Sequence, residues 1–299
     1  MSKICTLCPR NCAVDRENGE KGICGQTSEL KVARAALHFW EEPCISGTNG
    51  SGTVFFSGCS LHCVFCQNEQ IANGTVGKQI TIERLTEIFL ELEKQGANNI
   101  NLVTPGHFIP QIKSALLQAK QKGLSLLIIY NTSSYETVEA LRSLEGLIDI
   151  YLPDFKYMSS DLSKKYSHAA DYAVVAKAAI AEMVRQTGSP VFDEDGEDGL
   201  IKRGTIVRHL TLPGYMEDSK EILKYLHDTY GNQIYISIMN QFTPLENVEA
   251  YPELNRKITE EEYDELIDYA IDLGIEQGFI QEGETAEESF IPDFDCCGV

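Results

Sequence analysis

The chain has 299 residues, 43% of them hydrophobic, and no apolar run that approaches the ~20 residues needed to cross a bilayer. Its 45 acidic residues outnumber its 25 basic ones, and the net charge of -20 argues against nucleic-acid binding, because a face that grips phosphates needs clustered Lys and Arg. Residues 1–5 also lack the apolar core of a signal peptide, so we expect a cytoplasmic protein that binds neither nucleic acid nor a membrane.

Residues 1 to about 50 are predicted to form a small, loop-dominated module, because they are rich in Cys, Gly and charge and show little apolar periodicity. Four of the ten cysteines fall here, as Cys5, Cys8, Cys12 and Cys24. Closely spaced cysteines in a reducing compartment bind metal more often than they form disulfides. We expect these four thiols to hold zinc or an iron–sulfur cluster, and their spacing leaves both open. Residues 51–299 are predicted to form the core domain with a C-terminal extension.

From about residue 53 the chain alternates between short apolar strands and helices. Six strands are predicted, at 53–56, 100–103, 126–129, 148–152, 206–210 and 234–238. Helices are predicted at 82–92, 109–121, 135–143, 218–229 and 259–273, with a longer helical stretch at 159–187 and an exposed acidic turn at 193–199. Strands separated by helices imply a parallel sheet, and six are fewer than a closed eight-stranded barrel needs. The predicted fold is therefore α/β, an open or partial (β/α)6 barrel.

Three more cysteines, Cys59, Cys63 and Cys66, directly follow the first of these six strands. They lie on a loop at the carboxyl end of that strand, where parallel α/β folds place their sites. Thiolates are the natural ligands of iron–sulfur clusters, and three of them on a four-iron cluster leave one iron open. Two other readings are a zinc site completed by His62 or a distant cysteine, and cysteines that merely pack in the core.

The spacing of the three cysteines, with Phe65 just before the last one, resembles the signature of the radical S-adenosylmethionine (SAM) superfamily. The chain also resembles the pyruvate formate-lyase activating enzyme-related proteins over most of its length, in stretches that follow successive strands: 102–107, 130–135, 151–158, 207–214 and 237–242. The resemblance implies a six-stranded partial barrel with a [4Fe-4S] cluster at one rim. It also implies reductive cleavage of SAM and removal of a hydrogen atom from a substrate.

The resembling stretches supply the predicted SAM-binding residues. Many family members carry Gly-Gly-Glu-Pro after the second strand, whereas this chain has Thr104 to His107, so a backbone carbonyl or Thr104 would replace the carboxylate. Asp154 and Lys156 resemble the Asp-Leu-Lys segment of activating enzymes, although such a pair is also common as a surface ion pair. The full predicted set is Phe65, Thr104, Gly106, His107, Asn131, Ser133, Asp154, Lys156 and Arg208.

Several functions remain open on sequence alone. The first is an activase-like enzyme that removes a hydrogen atom from a protein glycine, as in a glycyl-radical enzyme, with an electron donor such as flavodoxin or ferredoxin. The second is modification of another peptide residue or of a small molecule by the same chemistry. The third is a non-catalytic iron–sulfur or zinc protein. Cys44, Cys296 and Cys297 lack metal-binding spacing and are expected to be incidental thiols.

Overall fold

The computed structural model of the protein describes residues 4–193, 199–281 and 292–299. Residues 194–198, most of the predicted acidic turn, lie outside the described residues. Within them, no helix is long and apolar enough to span a membrane.

A parallel sheet forms the centre of the molecule. All six predicted strands are confirmed, and each pairs in parallel with the next. They are β2 (Ser51–Phe56), β4 (Asn99–Val103), β5 (Leu127–Thr132), β6 (Ile150–Pro153), β8 (Ile201–Leu210) and β9 (Tyr235–Met239). Every residue of β2, β4 and β6 is buried, as expected for strands covered by helices on both faces. This parallel-rich α/β arrangement agrees with the predicted partial barrel.

Further strands extend the sheet at both ends. In the described part of the chain, β1 (Lys31–His38) pairs antiparallel with β2, and β3 (Lys78–Gln79) pairs with β1. At the other end β10 (Gly278–Ile280) runs parallel to β9, whereas β7 (Val191–Phe192) lies off this path and pairs antiparallel with β8.

Strand β1 lies within the residues predicted to be a loop-dominated module, and the sequence did not predict it. The strand was missed because Ala33, Ala35 and Ala36 give a weak β signal and because its register shifts between Val32 and Arg34. The predicted domain boundary between residues 50 and 51 stays a prediction. Strand β1 lies before it and β2 lies after it, and the two strands pair in one sheet.

The helices follow the prediction with one exception. The predicted ones are α3 (Ile82–Lys94), α4 (Ile109–Gln121), α5 (Val138–Arg142), α8 (Met216–Tyr230) and α9 (Glu260–Asp272), and two short ones are α1 (Pro43–Ser46) and α2 (Glu69–Ala72). The stretch predicted at 159–187 is two helices, α6 (Ser160–Ser167) and α7 (Tyr172–Thr187). The break occurs because His168 adopts a left-handed conformation, with φ of 53°, and ends α6.

The C-terminal residues return to the start of the sheet. The Ala35 amide donates to the Cys297 carbonyl at 2.9 Å, and the Cys296 amide donates to the Ala33 carbonyl at 3.0 Å. Phe294 is buried and its ring meets that of Phe55 edge-on. Residues 292–299 therefore pack along β1, and Pro292 reaches the cavity at the carboxyl ends of the strands.

Candidate functional site

The carboxyl ends of the parallel strands surround one cavity of about 230 Å³. The loop after β2 contributes three cysteines, and the ends of later strands contribute polar side chains. Seven of the nine predicted SAM-binding residues line this cavity together with all three cysteines of the motif: Cys59, Cys63, Cys66, Phe65, Thr104, Asn131, Ser133, Asp154, Lys156 and Arg208. The sequence-predicted residues therefore converge from five segments of the chain on a single site.

Residues 57–68, here called the cluster loop, turn sharply away from β2 at Gly58. Gly58 has a φ of +93°, and a side chain there would place its Cβ 2.5 Å from the carbonyl oxygen of Cys24. Only glycine fits both the left-handed backbone and this close approach. The turn directs the cysteine-bearing part of the loop back over the strand ends.

The three thiols of the cluster loop are partly buried and receive hydrogen bonds. The Ser167 hydroxyl donates to Cys63 Sγ at 3.0 Å, and the Leu61 amide donates to Cys59 Sγ at 3.4 Å. Burial raises the pKa of the Cys63 and Cys66 thiols, so a positively charged group is needed to hold them as thiolates.

The donor set fits a cluster better than a single zinc ion. The cavity is lined by three thiols, and a structural zinc site needs a fourth protein ligand. His62, the candidate fourth zinc ligand, has its Nε2 at 2.7 Å from the Ile23 carbonyl instead. Three thiols spread around one cavity match ligands of separate irons.

Arg208 links the polar side chains of the cavity into one network. Its Nε donates to Asp154 Oδ1 at 2.9 Å, and its Nη2 donates to Asn131 Oδ1 at 2.8 Å. Lys156 Nζ donates to Asp154 Oδ2 at 2.7 Å. Burial alone would raise the pKa of Asp154, but Arg208 and Lys156 outweigh it and hold that pKa below its ordinary value. The Asp154–Lys156 pair is therefore an interior ion pair, with side chains only 16% and 15% exposed, and not a surface one.

Glu41 belongs to the same network and was missed by the sequence analysis. Its carboxylate accepts from Arg208 Nη1 at 3.2 Å, from Asn101 at 3.0 Å and from Asn131 at 3.3 Å. The neighbouring Glu42 is buried and accepts from the Ser237 hydroxyl at 2.8 Å. The sequence feature that could have indicated this site is the pair of acidic residues before Pro43, in the link from β1 to β2. Acidic pairs usually face solvent, and the neighbouring residues do not show that these two side chains turn inward.

Thr104 lies at the cavity in a strained conformation. Its φ is +55°, in the left-handed region that a β-branched residue rarely adopts. The Thr104 amide donates to the Asn131 carbonyl at 3.0 Å, which fixes the turn after β4. Strain of this kind persists where surrounding contacts impose it and is frequent at functional sites.

Gly106 and His107, which the sequence predicts beside the cosubstrate, do not line the cavity. The short helix Gly106–Phe108 carries them beneath the cluster loop. There His107 Nε2 lies 2.7 Å from the Ser57 carbonyl, and Gly106 packs against the carboxylate of Glu136. Burial lowers the pKa of His107 to about 4, so the imidazole is neutral at physiological pH.

A second cavity, of about 600 Å³, borders the first. The two share five lining residues: Trp40, Glu41, Arg208, Met239 and Gln241. At the outer rim of the second cavity, Phe39 and Ile280 are 50% and 47% exposed. An apolar opening therefore leads from the surface towards the polar network.

The four front cysteines lie outside both cavities. Cys5, Cys8, Cys12 and Cys24 line a separate void of about 10 Å³, together with Arg16 and His107. The structure thus gathers the four thiols that the sequence analysis grouped.

Comparison with known proteins agrees with the geometry of the first cavity. Residues 53–225 match the family model described as Radical SAM superfamily. An uncharacterised protein of Methanocaldococcus jannaschii is 26% identical over 276 residues, which cover 90% of this chain and 74% of that protein.

Two solved structures share the fold. Streptococcus suis SuiB, bound to the precursor peptide SuiA, matches with a TM-score of 0.52 and 12% identity over 76% of this chain and 47% of SuiB. HydG, a maturase of the [FeFe]-hydrogenase, matches with a TM-score of 0.52 and 16% identity over 78% of this chain and 52% of HydG. The chain spans about half the length of these two proteins.

Proposed function

Because the chain belongs to the radical SAM superfamily, we propose that it removes a hydrogen atom from a peptide or protein substrate. The family implies a [4Fe-4S] cluster and SAM, and Cys59, Cys63 and Cys66 are the residues that would hold the cluster. When bound, these groups supply a one-electron cleavage of SAM that yields 5′-deoxyadenosine carrying the hydrogen removed from the substrate. The electron would come from a donor such as flavodoxin or ferredoxin.

In this proposal the polar network binds and orients the cosubstrate. Arg208 and Lys156 offer charged N–H donors suited to a carboxylate or to ribose hydroxyls, and Asp154 keeps both of them fixed. The backbone turn at Thr104 offers a carbonyl for the cosubstrate amino group, where many family members use a carboxylate. Phe65, held edge-on by Tyr157 and Phe242, supplies an apolar wall.

The wall that the two cavities share is the main structural support for a peptide substrate. A peptide segment could lie in the wider cavity, against Phe39 and Ile280, and present one backbone position past Met239 to the polar network. The structure of SuiB with its precursor peptide supports this class of substrate. The likeness of residues 154–156 to activating enzymes favours a glycine Cα as the reacting position.

The test uses anaerobically reconstituted protein, dithionite, SAM and two deuterated probes. One probe is a glycyl-radical enzyme prepared with deuterated glycine, and the other is a set of tryptic peptides from cells grown in deuterium oxide. We expect deuterium in 5′-deoxyadenosine with both probes. Label from the second probe alone would show that the hydrogen atom comes from a peptide position other than the glycine of that glycyl-radical enzyme. Unlabelled 5′-deoxyadenosine with both probes would overturn the peptide substrate.

A further inference from the structure

The front segment, residues 4–30, brings four thiols to one point. The Cys5 amide donates to the Val14 carbonyl at 2.8 Å, and the Ala13 amide donates to the Cys5 carbonyl at 3.0 Å, which forms a hairpin around Cys8 and Cys12. Cys24 joins them from the next turn of chain, so that all four cysteines line the same small void. All four are free thiols.

Backbone amides are directed at three of the four sulfurs. The Ile23 amide donates to Cys12 Sγ at 3.3 Å. The backbone amides of Arg10 and Gln26 hydrogen-bond to Cys8 and Cys24. Each donor lies where it would stabilise a thiolate, the form of cysteine that binds metal.

The front segment has little apolar core of its own. Ile4 and Ile23 are 56% and 49% exposed, and Leu7 is only partly buried. Small modules of this kind fold when a metal replaces the missing core, because the free energy of metal binding becomes free energy of folding. The four cysteines are the residues of this segment that would hold such a metal.

We propose that Cys5, Cys8, Cys12 and Cys24 bind a single zinc-class ion and that this ion fixes the cluster loop in place. All four cysteines line one void, and four thiolates complete the tetrahedral shell that zinc takes in structural sites. Zinc bound by four thiolates needs sulfurs ~2.3 Å from the ion. Since no three candidate ligands in the described ranges stand that close now, the thiols must rotate inward on binding.

Arg10, in the short turn between Cys8 and Cys12, connects the proposed metal site to the cluster loop. Its Nε donates to the Ser60 carbonyl at 2.7 Å, and its Nη2 donates to the Ser167 carbonyl at 2.9 Å at the end of α6. Arg10 also stacks over the ring of Tyr135, with its Cζ 5.1 Å from the centroid. One side chain thus ties the front segment to both the cluster loop and α6.

Two further contacts hold the other side of the cluster loop. His62 meets the carbonyl of Ile23, the residue before Cys24, and the Cys24 carbonyl packs directly on Gly58. Since Arg10 and Ile23 both adjoin proposed metal ligands, binding of the ion would fix these contacts together. The metal site itself stands whether or not the proposed peptide chemistry is correct.

The first test counts metal in a variant that cannot hold the cluster. The triple variant Cys59→Ala, Cys63→Ala, Cys66→Ala keeps the front thiols, and we expect one zinc per chain by mass spectrometry and the thiolate absorption of cobalt(II) after cobalt exchange. Adding Cys8→Ala and Cys12→Ala is expected to remove both signals. The full wild-type chain, measured in parallel for zinc, iron and sulfide, guards against misfolding of the variant. Wild-type chain without zinc, or front thiols carrying iron and sulfide, would overturn the proposal.

The second test measures the effect on the cluster loop by amide hydrogen exchange at residues 57–68. Cys8→Ala with Cys12→Ala, and separately Arg10→Ala, are expected to speed exchange about tenfold, as for the loss of one hydrogen bond to a charged group. Arg10→Ala is expected to keep its zinc. Cys297→Ala, which removes an exposed thiol, is the control and should change neither signal. Unchanged exchange in the double variant would show that the ion does not fix the loop.

Discussion

The guanidinium of Arg208 meets the carboxylate of Asp154 with two nitrogens, Nε at 2.9 Å and Nη2 at 2.8 Å from Oδ1. The two side chains come from neighbouring parallel strands, and they are only 14% and 16% exposed. The pair therefore forms a preset polar wall of the cavity, beside the three cysteines. Removing either partner leaves a charge in a poorly solvated place.

Arg208→Ala is expected to weaken SAM binding and to lower the free energy of unfolding by about 3 kcal/mol, because Asp154 and Glu41 lose a partner. Arg208→Lys should retain more stability but still bind SAM poorly, since lysine cannot reproduce the fork of donors. Equilibrium dialysis and urea unfolding measure the two effects. Arg203→Ala, at an exposed position of the same strand, is the control. Wild-type SAM affinity in Arg208→Ala would exclude Arg208 as a binding residue.

The ionisation of Glu136 should make the folded state less stable as pH rises. Burial raises its pKa to about 7, although Thr132 and Tyr130 donate to it. A raised pKa means that the folded state favours the protonated carboxyl. The contribution of Glu136 to the free energy of unfolding is therefore complete below about pH 4.5 and is lost as pH rises through 7. Relative to Glu136→Gln, the wild type should lose about 3 kcal/mol between pH 4.5 and pH 8.

Urea unfolding of both proteins at pH 5 and pH 8 checks this expectation. The exposed Glu139→Gln, three residues further on in α5, controls for the loss of one negative charge. Parallel pH profiles for the wild type and Glu136→Gln would contradict the assignment.

Gly58 and Gly96 offer a matched pair for testing the contact between the cluster loop and the front segment. Their φ values are +93° and +89°, but a Cβ at Gly96 meets nothing within 4 Å, whereas one at Gly58 lies 2.5 Å from the Cys24 carbonyl. Both alanine variants should lose roughly 1 kcal/mol to backbone strain. Gly58→Ala should lose about 2 kcal/mol more from the clash and should bind less iron. Equal losses in thermal unfolding and iron content would show that the contact is unimportant.

The second cavity is tested by adding a charge at its rim. Ile280→Glu should raise KM for the deuterated tryptic peptides while leaving 5′-deoxyadenosine formation without peptide unchanged, because Ile280 lines only the wider cavity. Ile271→Glu, the same substitution at a 62% exposed position on α9, should change neither KM nor 5′-deoxyadenosine formation. An unchanged KM in Ile280→Glu would show that the peptide does not bind in the second cavity.

Features carried by local sequence were predicted well. The six strands are short apolar runs, and Asp154 and Arg208 could be placed near the cysteines because the carboxyl ends of parallel strands meet at one edge. Glu41 could not be predicted, since its partners Asn101, Asn131 and Arg208 are all more than fifty residues away along the chain. The position of His107 beneath the loop could not be predicted, because spacing does not show where the turn after β4 directs it.

The most direct test of the central claim is formation of 5′-deoxyadenosine by anaerobically reconstituted, reduced protein supplied with SAM. We predict this product from the wild type and from Cys297→Ala, and its loss together with cluster iron and sulfide from Cys63→Ala. A wild-type protein that carries an intact reduced cluster yet releases no 5′-deoxyadenosine would contradict it, as would a Cys63→Ala variant that keeps both cluster and product.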